Sequence, residues 1–165
     1  MKTNSRKFYN YMLFDSEIFF SIIRAIRSLE TGITDVELNG FLSGCFYFGK
    51  AQADRPNVHM HEALDEDNCT EKHVAIRKIW DKGGGVLILK FFYNASSYVA
   101  STREAILIDY VGLKNITNIR RGSYYGGVKY WGNNVLTNLG KFYALKIISE
   151  CNEQHFEIFL REDLI

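Results

Sequence analysis

A single proline, Pro56, in a chain of 165 residues with 15% aromatics excludes a disordered tail or a linker protein. Cysteine is also scarce. Cys45, Cys69 and Cys151 are odd in number and lack framework spacing, which fits a reducing compartment better than a disulfide scaffold. No apolar run reaches the ~18 residues of a membrane helix. The opening stretch Met-Lys-Thr-Asn-Ser-Arg-Lys lacks the apolar segment of a secretory signal. The expectation is a soluble intracellular protein, nuclear or cytoplasmic, with no membrane partner. Internal repeats and low-complexity segments are absent too, and acid is missing from one long stretch. Between Asp109 and Glu150 there is none, while Lys114, Arg120, Arg121, Lys129, Lys141 and Lys146 all fall there.

What is present supports a folded core. At 47% hydrophobic, the chain is long enough to bury one core and short enough to be one domain. That domain is expected over 1–165, with a helical C-terminal extension over about 131–165. The net charge of +1 says little, but its distribution says more. Tyr124, Tyr125, Tyr130 and Trp131 are interleaved with the cations of the acid-free stretch. Positive charge set among aromatics suits a phosphate backbone with accessible bases.

Phe8 to Phe14 is aromatic-rich and strand-like, and Asp15 or Ser16 can cap a helix with apolar residues at helical spacing up to Leu29. Thr31 to Gly40 reads as a loop. A second strand is centred on Cys45 to Phe48, a short helix lies around Val58 to Leu64, and a longer one runs from its cap at Thr70 to about Lys82. Val86 to Tyr93 is nearly continuous in apolar residues and is expected to be a central strand. A helix over about Ser97 to Val111, a glycine-punctuated loop, a helix near Leu136 to Glu150 and a strand-like tail at Phe156 to Leu160 complete the chain. The pattern predicts an α/β (α+β) fold, a small mixed three-stranded sheet flanked by helices.

Glu104 stands out chemically. In its helix it shares a row with Ala100 and Ile108, and an acid among apolar neighbours must be paired, protonated or bound to a metal. Ser101-x-x-Glu104 matches a capping box, but the apolar period already begins at Val99, before Ser101. Tyr9, Tyr11 and Tyr47 lie in strands, and among ten tyrosines such residues are more often core than catalyst. His59, His61, Cys69 and His73 fall within fifteen residues without a common zinc spacing.

Tyr9-Asn10-Tyr11 and Tyr47-Phe48-Gly49 resemble the paired motifs of the GIY-YIG nucleases. The segment Phe46 to Lys50 with Arg55-Pro56, His59 and Glu62-Ala63-Leu64 is similar to the nuclease domain of animal ankyrin-repeat and LEM-domain endonucleases. So is Thr102-Arg103-Glu104-Ala105 with Ile108-Asp109, Gly112-Leu113, Asn115, Thr117-Asn118, Gly122 and Tyr124-Tyr125-Gly126, fifteen matches in the 25-residue window Thr102 to Gly126. This sequence departs from the pattern at Tyr9, where the first motif has glycine, and at Ala51, where the subfamily has glycine.

The resemblance implies one divalent cation, Mg²⁺ or Mn²⁺, on Glu104, and a duplex or branched DNA substrate. Tyr11 is then expected as general base, assisted by Tyr47. Lys50, Arg55 or His59 would stabilise phosphoryl oxygens or protonate the leaving group. Asn118 would hold the loop or a phosphate, and Arg103, Lys114, Arg120, Arg121, Tyr124, Tyr125 and Lys129 would line the DNA. The competing expectations are an inert nucleic-acid-binding module that kept the fold, and a zinc-stabilised interaction domain built on His59, His61, Cys69 and His73. Oligomeric state is left open.

Overall fold

A computed structural model describes residues 7–165. Residues 1–6, which carry most of the segment read for a missing signal, lie outside the described residues. The first described element is strand β1 (Phe8–Asp15), whose side chains alternate between two apolar layers. Met12 and Phe14 point into one, and Tyr9, Tyr11 and Leu13 into the other. Asp15 ends the strand and caps helix α1 (Ser16–Arg27), its carboxylate accepting from the Glu17 N–H at 3.0 Å.

The stretch expected as a loop holds helix α2 (Asp35–Ser43), started by a Thr34–Glu37 capping box. Strand β2 (Cys45–Ala51) follows, then α3 (Arg55–Leu64) and α4 (Glu71–Asp81), whose first turn is capped by Thr70. Strand β3 (Val86–Ala95), α5 (Ser97–Val111), α6 (Asn133–Glu150) and β4 (Phe156–Phe159) complete the order. The N-cap of α5 is Ser96, so Ser101-x-x-Glu104 is not a cap.

The sheet has four strands, not three, in the order β2-β1-β3-β4, and every pairing is antiparallel, not mixed. The reason is the second edge of β3. Strand β1 takes one edge along its whole length, from Phe8–Ala95 to Asp15–Val86, and the tail pairs along the opposite edge through Val86–Phe159 and Leu89–Phe156. Trp80 fixes this edge, its indole N–H donating to the Phe159 carbonyl at 3.0 Å. Both sheet faces are covered. Helices α1, α2, α5 and α6 share one core with Met12, Phe14, Leu87 and Leu89, and α3 and α4 share the other with Tyr11, Leu13, Val86 and Ile88. Residues 131–165 thus supply Ala144, Ile147 and Ile148 to the first core and a strand to the sheet. Among the described residues, no helix is long and apolar enough to cross a membrane.

Candidate active site at the edge of the sheet

Strand β2 is an outer strand, and its free edge is taken by the loop that follows α5. Thr117 donates through its backbone N–H (2.7 Å) and its hydroxyl (2.8 Å) to the Phe46 carbonyl. Asn118 grips Phe48 from both sides, accepting from its N–H at 3.0 Å and donating to its carbonyl at 2.8 Å. Both ends of the Asn118 amide are therefore spent on holding the loop. Gly122 lets that loop lie on α5, because a Cβ there would sit 2.5 Å from Ala105 Cα. Tyr124 ties it down further by donating to Asp109, and Arg121 lies 3.5 Å from the same carboxylate.

Between this loop, β2, α4 and α5 opens a cavity of about 530 Å³, walled by Tyr47, Lys50, Lys72, Ser101, Glu104, Asn118, Arg120, Arg121 and Tyr125 among others. Glu104 is its one acid. Burial pushes this carboxyl up to about 7, against the charge and the backbone N–H of Lys50, which pull it down. No ion pair among the described residues takes up Glu104. The Lys50 ammonium is instead held by the Ser97 hydroxyl at 3.1 Å and by Ser101. A half-buried carboxylate that no ion pair takes up, on the wall of an open cavity, is a fitting ligand for a cation that keeps several waters.

Behind the Tyr47 wall lies a second group of polar side chains. Tyr11 is 2% exposed, and its hydroxyl stands 2.9 Å from His59 Nε2. Gly49 makes room for it, since a Cβ at that position would meet the Tyr11 ring at 2.4 Å. His59 Nδ1 is 3.2 Å from Glu62 Oε2, the same oxygen that His73 Nε2 reaches at 3.1 Å, and Thr70 holds His73 Nδ1 at 2.9 Å. Lys72 Nζ lies against the His59 ring, 2.9 Å from Nδ1, and 4.8 Å from the centre of the Tyr47 ring. Burial first, and then the Lys72 charge, push His59 down to about 4, so its ring is neutral at neutral pH. Lys72 is itself lowered to about 8, chiefly by burial. Burial would raise Glu62, but its hydrogen bonds with His59 and His73 outweigh this and leave the carboxyl below its ordinary value.

The two tyrosines differ. Tyr47 is on the cavity wall and Tyr11 is not, their ring centres 6.0 Å apart. Burial raises both hydroxyls. The Tyr11 hydroxyl favours the ionised form of Tyr47, while burial first, and then Tyr47, raise Tyr11 far above the ordinary range. Arg55, exposed at the start of α3, also favours ionised Tyr47.

His59, Glu62 and His73 offer three ligand atoms within 4.8 Å of one another. Their donors and acceptors already engage each other, Tyr11, Thr70 and the Lys72 ammonium. His61 and Cys69, the other two residues of the zinc reading, are exposed and outside this group. Of the residues expected on DNA, Arg120, Arg121 and Tyr125 line the Glu104 cavity. Arg103 faces the other side of α5, its guanidinium 4.8 Å from the Phe92 ring, and Lys114 and Lys129 are exposed away from the cavity. Glu62 and Lys72 are not among the candidate ligands or catalysts read from sequence, and His73 is one only in the zinc reading. His59-x-x-Glu62 was visible as a one-turn helical pair, but Lys72 and His73 arrive only through the packing of α3 on α4.

Residues 8–164, nearly the whole chain, match the family model of the LEM-3-like GIY-YIG domain. The chain belongs to that family. It is thus a GIY-YIG domain of a nuclease family. Among relatives, the mouse ankyrin repeat and LEM domain-containing protein 1 is 33% identical over 129 residues, 74% of this chain and 23% of its own length. The Caenorhabditis elegans homolog is 27% identical over 92% of this chain and 22% of its own length. The human protein of the same name is 36% identical over 57% of this chain and 17% of its own length. The chain thus spans about a fifth of the length of these curated relatives. No solved structure matches this LEM-3-like domain.

Proposed function

We propose that this domain is a divalent-metal-dependent DNA endonuclease that hydrolyses phosphodiester bonds, with branched or flexible DNA as its substrate. One observation carries the reading: Glu104, the single acid of its cavity, is raised to about 7 and unpaired among the described residues, beside a tyrosine wall and a cluster of cations. Residues 8–164 act as one catalytic unit. Glu104 would hold one Mg²⁺ or Mn²⁺, which would supply neutralisation of the charge that develops on the phosphate and on the leaving oxygen. Lys50, aimed by Ser97 and Ser101, faces the phosphoryl oxygens, and Arg120 and Arg121 hold the neighbouring backbone.

The attacking water loses its proton to Tyr47, the tyrosine that faces the cavity. Both hydroxyls stay protonated at neutral pH, so a preformed phenolate does not supply the base. Instead Tyr47 passes its own proton inward to Tyr11, and Tyr11 passes its proton to His59 Nε2. For this the neutral ring carries its hydrogen on Nδ1, directed at Glu62 3.2 Å away, and Lys72, 2.9 Å from the same nitrogen, must turn aside or give up a proton. Water oxygen bonds to phosphorus, the bond to the leaving oxygen breaks, and solvent in the open cavity protonates that oxygen.

The test is cleavage of fluorescent linear, flapped and four-way-junction DNA with Mg²⁺, with Mn²⁺ and with chelator. Metal-dependent cutting that favours the branched substrates is expected. Salt-sensitive binding without cutting of any substrate would replace this reading with the inert binding module.

A further inference from the structure

Several aromatic side chains among the described residues are exposed, and two of them pack together beside an open cavity. Among the described residues, Tyr98 is 66% and Tyr125 40% exposed, and their rings meet edge to face with centres 4.9 Å apart. They open a second cavity of about 570 Å³ on the side of α5 turned away from Glu104, walled also by Val99, Val128 and Tyr143. Arg103 stands at its rim and no acid lines it. Tyr125 belongs to both cavities and forms the partition between them. Thr102 and Arg103 face this side, and Ser101 and Glu104 the other.

The walls and the rim call for different chemistry in one occupant. Exposed aromatic and branched aliphatic surface gains by covering a flat apolar face. Arg103 here, with Arg120 and Arg121 across Tyr125, calls for adjacent negative charge. A nucleotide offers both, a base face and a phosphate one bond chain apart. Bases inside a duplex are already stacked on both faces and cannot enter, whereas an unpaired base can stack on tyrosine. From this we infer that the Tyr98–Tyr125 cavity binds an unpaired nucleobase of the strand whose phosphate lies at Glu104. The inference rests on the nuclease reading above and extends it, because it gives the domain a structural reason to select single-stranded arms and branch points over continuous duplex. Base faces are alike in all four nucleotides, so the pocket selects for being unpaired and not for sequence.

Glu104→Ala protein in EDTA keeps the DNA uncut during binding. Its affinity is measured for a forked duplex with one single-stranded arm and for a blunt duplex of the same sequence, then again with Tyr98→Ala or Tyr98→Trp added. The expected result is a preference for the fork that falls about tenfold in Tyr98→Ala, the scale of one lost base–aromatic stack, and returns in Tyr98→Trp. A 5-iodouracil in the arm is expected to crosslink to Tyr98 or Tyr125. An unchanged fork-to-duplex ratio, no rescue by tryptophan, or crosslinks to other faces would overturn the pocket. If wild-type protein cuts forks under those results, the nuclease reading stands and only the pocket falls. If neither DNA is bound, both fall.

Discussion

Replacing Gly49 by alanine tests whether the site depends on where Tyr11 lies. The added Cβ would sit 2.4 Å from Tyr11 Cε1 and Cζ and 2.6 Å from its hydroxyl oxygen, whereas ordinary contact begins at 3.4 Å. Tyr11 must therefore move by about 1 Å, and at 2% exposure it moves against buried neighbours, not into solvent. Overpacking of this kind costs ~2 kcal/mol. For a domain of this size that lowers Tm by ~4–8 °C. The larger effect is on the 2.9 Å contact between the Tyr11 hydroxyl and His59, because a shift of that size away from the histidine breaks it. A lost general-base relay costs ~100-fold or more in rate. Single-turnover cleavage at a temperature well below the transition, beside Tyr11→Phe, is the assay. Both variants are expected to fall by similar factors while DNA affinity holds. Full activity in Gly49→Ala, with the Tm lowered as stated, would refute the role given to the Tyr11–His59 contact.

Other expectations concern pH, the loop and the surface. The folded pKa of His59, about 4, is below the ordinary 6.5, so the unfolded chain takes up a proton first as pH falls. Its contribution to stability is whole above pH 6.5 and is lost between 6.5 and about 4, by up to ~3 kcal/mol; urea melts of wild type and His59→Gln across that window should show a shallower pH slope in the variant. Asn118→Ala removes both bonds to Phe48 and should cost ~2 kcal/mol in urea unfolding, with weaker DNA binding as the loop lifts from β2. Arg121→Ala should weaken DNA binding and lower the slope of log affinity against log salt by ~1, whereas Lys114→Ala, remote from the cavity, should leave cleavage at saturating DNA unchanged.

Much of the fold is written in local pattern. The apolar run of β3, the helical spacing of α1 and the caps Asp15 and Thr70 lie where their residues place them. Helix α2 escaped because glycines and polar residues around Thr31 to Gly40 mask it, although Thr34-x-x-Glu37 marks its start. The fourth strand was legible as a strand-like tail but not as a member of the sheet, since pairing with β3 is a contact across some seventy residues of sequence. The site divides in the same way. Glu104 declares itself through its apolar row on α5, and the burial that raises its carboxyl to about 7 agrees with that reading. Which tyrosine meets solvent does not follow from sequence. Tyr11 and Tyr47 sit on neighbouring strands with the same face, and only the position of β2 at the sheet edge exposes Tyr47. The His59–Glu62–His73 chain joins two helices, and Gly49 and Gly122 act by the absence of a side chain where another element comes close.

The proposed cation on Glu104 is tested most directly by Glu104→Gln, because the amide keeps the shape and loses the charge. Single-turnover cleavage of a four-way junction in Mg²⁺ is measured for both proteins, with binding to the same junction measured in EDTA. The expected result is cleavage lost by a factor of ~100 or more with binding retained. Cleavage by Glu104→Gln at the wild-type rate would contradict the assignment.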